Sequence, residues 1–330
     1  MKKGERMLSF FKKDIKLTIL FLVFIIVALA MLQICGTRFY SANNLQSIAF
    51  QIPEFALLAF AMMLCMITGG IDLSVVSISG LSSILAAIVM NHIMEGNGNE
   101  AAAIAAAVVT ALVSATLCGF INGILISQLH ILPILVTLST MILYSGLATG
   151  ITGGSGITGY PASFLLFGKA TIAKIPVVFV LVVVIALVIC FVLDRTRYGK
   201  ILYFYGENSV VSLFSAINNG KALILTYTVS GFLCGLSGII MMARNNSAKV
   251  GYGDTYQLQA ILVCAIGGID PNGGSGRAVG VCIAIILLQI LQSGFNVLGY
   301  DPYLKRLVWG CVLIGVMIMN CFLFRRKKGK

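Results

Sequence analysis

The sequence predicts an all-α, polytopic integral membrane protein: a helical bundle of about ten transmembrane helices with both termini on the cytoplasmic side. Three observations carry this. First, 59% of the 330 residues are hydrophobic and 10% are charged, whereas soluble chains carry roughly a quarter charged residues. Second, the apolar residues fall in continuous runs long enough to cross a hydrocarbon core of roughly 30 Å, about 20 helical residues each. A membrane barrel would need short strands of alternating apolar and polar residues instead. Third, the net charge of +12 is concentrated at the chain ends and in short connectors. That distribution marks cytoplasmic loops rather than a nucleic-acid partner.

Taken in order, a basic cytoplasmic segment occupies 1–16, with Lys2, Lys3, Arg6, Lys12, Lys13 and Lys16. The apolar run behind it ends without a small-residue cleavage site, so it reads as a first membrane anchor rather than a signal peptide. The membrane domain covers 17–324, with predicted spans at 17–36, 48–68, 74–92, 101–126, 133–151, 176–193, 222–243, 255–269, 278–294 and 304–324. The outer loop from Glu95 to Glu100 holds acids and no cation, as orientation by positive charge prefers. A cytoplasmic connector spans 194–221, placed inside by Arg195, Arg197, Lys200 and Lys221, and the basic tail 325–330 belongs on the same side. Lys305 and Arg306 fall at the predicted outer end of the last span, where long stems let their charges snorkel. Gly231, Gly235 and Gly238 along one span are read as helix-packing positions, since small residues let backbones approach closely in lipid.

The sequence carries little that points to an enzyme. Gly168-Lys169, Gly199-Lys200 and Gly220-Lys221 lack the following Ser or Thr of a nucleotide-cradling loop. His92 and His130 stand alone, with no metal-ligand cluster and no nucleophile elbow. The nine cysteines show no paired spacing and read as small apolar packing residues.

Two glycine-rich interruptions and the connector are the informative segments. Gly69-Gly70-Ile71-Asp72-Leu73-Ser74 breaks two apolar runs, and Asp72 is read as a helix cap that could also tie helices or line a pathway. Gly267-Gly268-Ile269-Asp270, followed by Gly273, Gly274 and Gly276, repeats the Gly-Gly-Ile-Asp tetrapeptide, which raises an internal repeat. The amphipathic stretch Asn208 to Ile217 suits either a short docking helix or an interfacial one.

These segments, with Asn122-Gly123, the run Pro133 to Met141 and the ending Leu307 to Asn320, resemble the permease subunits of bacterial ABC importers for ribose and related simple sugars, a group that includes autoinducer-2 permeases. The resemblance covers about Asn44 to Asn320. It implies a multi-pass protein of the bacterial cytoplasmic membrane that binds no cofactor or metal itself and has no catalytic residue. ATP and Mg would belong to a separate ABC ATPase subunit, an extracytoplasmic solute-binding protein would deliver the solute, and a second permease copy, identical or paralogous, would complete the pore. Arg195, Gly199, Gly206, Glu207, Asn208, Phe214 and Ala216 fall on the element that couples to the ATPase. Gly69, Gly70, Asp72, Ser74, Gly267, Gly268, Gly273 and Gly274 fall on family motifs assigned to gating. Departures include Val76 at a position where glycine is common and Ile269-Asp270 where small and hydroxyl residues are usual.

Passage of a neutral polyhydroxyl solute predicts a weakly polar lining without a tight charged site, with Asn122, Thr137, Ser139, Thr140, Tyr144, Gln289, Gln292 and Asn296 as candidates; each also suits interhelical hydrogen bonding. The alternatives are a permease for branched-chain amino acids or another small solute, and an ion-coupled carrier using Asp72 and Asp270.

Overall fold

The computed structural model describes residues 15–96, 98–215 and 217–328. Thirteen α-helices run along this range: α1 (Ile15–Cys35), α2 (Ala42–Ile67), α3 (Val75–Glu95), α4 (Glu100–Gln128), α5 (Pro133–Thr152), α6 (Ala162–Lys169), α7 (Val177–Arg195), α8 (Arg197–Glu207), α9 (Ser209–Phe214), α10 (Asn219–Asn245), α11 (Asp254–Ile266), α12 (Ala278–Val297) and α13 (Pro302–Lys328). Each of the ten predicted spans falls on one of them. By length and apolarity, α2, α3, α4, α5, α7, α10 and α12 suffice to cross a membrane.

The span predicted at 255–269 is corrected. α11 has only 13 residues, about 20 Å at 1.5 Å per residue, because Gly267 and Gly268 end it early. Ala216 and the basic segment 1–14 lie outside the described residues, as do Gly329 and Lys330 of the tail.

α2 is the central helix, with every residue from 52 to 68 buried. An apolar helix buried on all sides belongs inside a large bundle, and α10, α11, α12 and α7 pack around it. α4 presents Ala103, Ala107, Ala111, Ala115, Gly119 and Gly123 at every fourth residue, all buried, and α10 lies along this face. A Cβ on Gly231 would strike the Ala115 carbonyl, and one on Gly235 would stand 2.9 Å from the Ala115 Cβ. The predicted packing role of these glycines is thus realised as a seam of backbone against backbone. Gly238 instead meets Ser79 and Ser82 of α3. On the periphery, Ile26, Leu187, Phe191 and Ile142 are each more than half exposed. Such a belt suits lipid and not water.

Four short strands lie among the helix connections. β1 (Ile157–Thr158) pairs antiparallel with β4 (Ser247–Ala248), while β2 (Thr171–Ile172) and β3 (Ile175–Pro176) form a hairpin. Asn246, left-handed at the end of α10, accepts from Tyr160 N at 3.3 Å through its side chain. The long segment between α5 and α7 is thereby clamped to the end of α10 away from the connector.

Candidate functional site: a glycine junction beside a buried carboxylate

The connector differs from its predicted form in a way that matters. The helix expected from Asn208 to Ile217 is only the six-residue α9, and the preceding residues form the longer α8. Local chemistry explains both. Thr196 caps α8 by accepting from Gly199 N, and Gly199 sits so close to the Leu193 and Val192 carbonyls that no side chain would fit. Asn208 stops α8 and starts α9, accepting from Val210 N and Val211 N at 3.0 and 3.1 Å. α9 is then tied to α10 by Ser212 Oγ donating to Asn219 Oδ1 and Asn219 Nδ2 donating to Ser209 O. Tyr198 of α8 shares a 2.8 Å hydrogen bond with Thr226. Burial pushes its hydroxyl up to about 12, with the Thr226 bond pulling the other way, so it stays protonated. Arg195 and Glu207 are exposed. So are Val210, Val211, Leu213 and above all Phe214, at 86%.

The C-terminal end of α8 is wedged between the two glycine-rich interruptions. Gly274 N donates to Ile67 O at 2.9 Å, joining the ends of α2 and of the loop after α11. A Cβ on Gly206 would collide with both of those backbone atoms. A Cβ on Gly273 would lie 2.6 Å from Gly69 N, and one on Gly274 would lie 2.5 Å from Glu207 N. Gly69, Gly206, Gly273 and Gly274 thus meet at one junction, with Gly273 and Gly274 at φ +92° and +73°, a region costly for other residues. Gly267 and Gly268 serve the same loop differently. Gly267 packs on Val281 of α12, and Gly268 takes φ +87° to end α11.

The tetrapeptide repeat does not superpose residue for residue. In the first copy Gly69 is left-handed and Gly70 N bonds Cys65 O; in the second Gly268 is left-handed and Ile269 N bonds Cys264 O. The same helix-ending turn is used one residue out of register. The two acids also part company. Asp270 Oδ1 accepts from Asn272 N and Nδ2 within its own loop.

Asp72, by contrast, is fully buried and gathers several helices. Its Oδ1 accepts from Ser74 N at 3.0 Å and Ser74 Oγ at 2.5 Å, and its Oδ2 from Ser230 Oγ at 3.0 Å and, weakly, Cys65 Sγ at 3.8 Å. Asn122 Nδ2 donates to Ser74 Oγ at 2.8 Å, and Thr137 Oγ1 to Ile71 O at 2.9 Å. The segment before α3 is therefore bound to α4, α5 and α10 through Asp72 and its neighbours. The predicted tie is present, whereas the predicted cap is corrected: α3 begins at Val75 with Ser74 before it, and Asp72 accepts from Ser74 N, a turn bond that falls ahead of the helix's first residue.

The other pathway candidates are dispersed. Thr140 and the exposed Ser139 donate to carbonyls of their own helix, Tyr144 to Cys118 O at 3.1 Å, and Gln289 to Gln51 Oε1 at 2.9 Å. Gln292 is half-buried, while exposed Asn296 accepts from Lys305 Nζ at 2.5 Å, which gives that outer cation a local partner. None of the eight lines the cleft of about 620 Å³ between α3, α5 and the start of α11, whose walls include Val76, Ser77, Gly80, Ser145, Thr149 and Asp254.

Sequence reasoning missed a buried ion pair. Arg244 Nε lies 3.0 Å from Glu54 Oε1, with Glu54 only 1% exposed. Tyr256 OH donates to Glu54 Oε2 at 3.4 Å, and Arg244 Nη1 to Phe50 O at 3.0 Å. The available signal was an acid in the middle of an apolar run.

Comparison with known proteins agrees with this architecture. The family described as "Branched-chain amino acid transport system / permease component" matches residues 44–317. The ribose import permease protein RbsC of Escherichia coli (strain K12) is 32% identical over 91% of this chain and 92% of its own. The galactose/methyl galactoside import permease protein MglC of the same organism is 27% identical over 93% and 94%. The autoinducer 2 import system permease protein LsrD of Yersinia enterocolitica is 28% identical over 88% and 90%. No solved structure matches. A bundle of apolar helices broken by paired glycines, matched over most of its length by import permeases, places the chain in this family of membrane-embedded transport permease components, which are transport subunits and not enzymes.

Proposed function

We propose that the chain is the pore-forming permease of a bacterial ABC importer for a simple sugar or sugar-like solute. Two copies, identical or paralogous, would form the pore in the cytoplasmic membrane, with both termini and the connector inside. A separate ATPase holding ATP and Mg would supply energy, and an extracytoplasmic binding protein would deliver the solute. The similarity to ribose, galactose and autoinducer-2 import permeases supports the solute class over branched-chain amino acids. The absence of a nucleotide-cradling motif in the sequence supports a separate energy source.

The observation that carries the coupling role is α9. A solvent-facing helix of six residues holding Phe214 at 86% exposure, beside exposed Val210 and Leu213, is an apolar surface that the described residues leave uncovered. Its neighbour α8 ends in the glycine junction. A push on α9 therefore reaches the breaks after α2 and after α11 through backbone contacts alone. The test is Phe214→Asp in cells carrying the complete transporter. Co-purification of the ATPase should fall at least tenfold and sugar uptake with it. Undiminished co-purification refutes the docking role. Uptake of leucine and not of ribose or galactose refutes the solute class.

A further inference from the structure

α11 begins inside the bundle rather than at its face. Its end, at Ile266, precedes the glycine loop at the connector end, so its first residue stands about 20 Å deeper into the bundle, at 1.5 Å per residue. Tyr256 fixes this level by contacting Phe55 and Glu54, the midpoint of the 26-residue α2. Asp254 therefore lies level with the middle of the central helix, where it is exposed and its carboxylate has no hydrogen bond or ion pair among the described residues. Arg306 of α13 acts on it through its field without a direct contact. A carboxylate at this depth with no paired cation is stable beside water or a polar ligand and costly against lipid. The cleft of about 620 Å³ is what it faces, a size in the range of small-molecule sites.

The lining is rich in acceptors. Ser77 Oγ and Thr149 Oγ1 spend their protons on the carbonyls of Ser74 and Ser145, which leaves their lone pairs for the cleft. Ser145 adds a hydroxyl, Asp254 two carboxylate oxygens, and Gln257 an amide whose Nε2 donates to the weak acceptor Met141 Sδ at 3.4 Å. Among the described residues, no Lys or Arg lines the cleft. A solute with several hydroxyl donors satisfies this set, whereas the carboxylate of an amino acid would meet Asp254 with only the indirect field of Arg306 to offset it.

We propose that Asp254 and Gln257, with the hydroxyls of Ser77, Ser145 and Thr149, form a contact site for adjacent hydroxyls of the translocating polyol. Asp254 accepts two of them, as carboxylates accept bidentate donors. The buried Arg244–Glu54 pair positions the site by holding Tyr256, and with it the first turn of α11. This site rests on the sugar-import reading above.

The test uses the complete transporter in proteoliposomes with radiolabelled ribose and galactose. Asp254→Asn should lower uptake at least tenfold while the ATPase still co-purifies, and Asp254→Glu should recover part of it. In parallel, a cysteine placed at Thr149 should react with a water-soluble thiol reagent, and more slowly when sugar-loaded binding protein is present. Asp254→Asn uptake within twofold of the parent, or a Thr149→Cys thiol that never reacts, overturns the site and leaves the importer reading standing. Failure of the parent to take up either sugar overturns that reading and the site with it.

Discussion

Replacing Gly206 with alanine sets two effects of opposite sign against each other. Gly206 is helical, so alanine should gain at most about 1 kcal/mol of helix propensity. Against this, the new methyl points at Ile67 O and Gly274 N, two backbone atoms already bonded to each other at 2.9 Å. Neither belongs to a flexible side chain that could swing away. Overpacking of this kind costs about 1–3 kcal/mol, and losing the Gly274–Ile67 bond costs about 1 kcal/mol more. The clash wins, with a net loss of about 1–3 kcal/mol. Thermal unfolding of the purified chain in detergent, at one scan rate, should show Gly206→Ala melting roughly 2–6 °C below the parent. Gly220→Ala is the control. It also lies in a helix, its nearest neighbour would be Asn218 Oδ1 at 3.6 Å, and it should melt at or slightly above the parent. If Gly206→Ala melts with the control, the junction is not packed as described and the route from α8 to the two breaks fails with it.

Three further perturbations follow from the same geometry. Asp72→Ala strips acceptors from Ser74 and Ser230 and should destabilise by about 2–4 kcal/mol, and a double-mutant cycle with Ser230→Ala should give a coupling of about 0.5–1.7 kcal/mol; additive effects would remove the tie to α10. Arg244→Ala leaves Glu54 buried without its cation and should cost about 3–5 kcal/mol, part of which returns in the double variant Glu54→Gln/Arg244→Gln. A double variant less stable than the single one speaks against a buried pair. Ala115→Leu should cost about 1–3 kcal/mol, because it forces apart the seam at Gly231 and Gly235; unchanged melting would mean that α4 and α10 are not in backbone contact.

Much of this architecture is legible in the chain itself, for reasons that differ by element. Continuous apolar runs locate helices, and paired glycines locate the breaks, because both signals are local. The packing role of Gly231 and Gly235 was readable from spacing, though not the partner face, which is supplied by Ala103 to Gly123 on another helix. The connector motifs were readable only in outline. Thr196 and Asn208 cap two separate helices, and that division depends on where Gly206 must fit. The hidden features are those made by distant residues. Glu54 and Arg244 are single charges far apart in sequence, each ambiguous alone, and β1 finds β4 only after α10 has brought Asn246 beside Tyr160. The cleft escaped notice because its polar groups, Ser77, Thr149 and Asp254, come from three segments with no common motif.

The seam between α4 and α10 has a mechanical consequence. α10 starts at Asn219, which α9 grips, and ends at Arg244 and Asn245 beside Glu54 and the β1–β4 clamp, about 40 Å away at 1.5 Å per residue over 27 residues. From Ile224 to Gly235 the two helices meet closely at Gly119 and Gly123 of α4 and at Gly231 and Gly235 of α10, leaving few side-chain rotamers there to absorb a displacement. Two helices locked in this way behave as one stiff beam. A tilt imposed at the connector must then reappear at the far end as a movement of Arg244, of Tyr256 through Glu54, and so of the first turn of α11. Spin labels on exposed positions of α4 and α10 should therefore keep a fixed separation when nucleotide is added to the complete transporter, while their distances to α5 change.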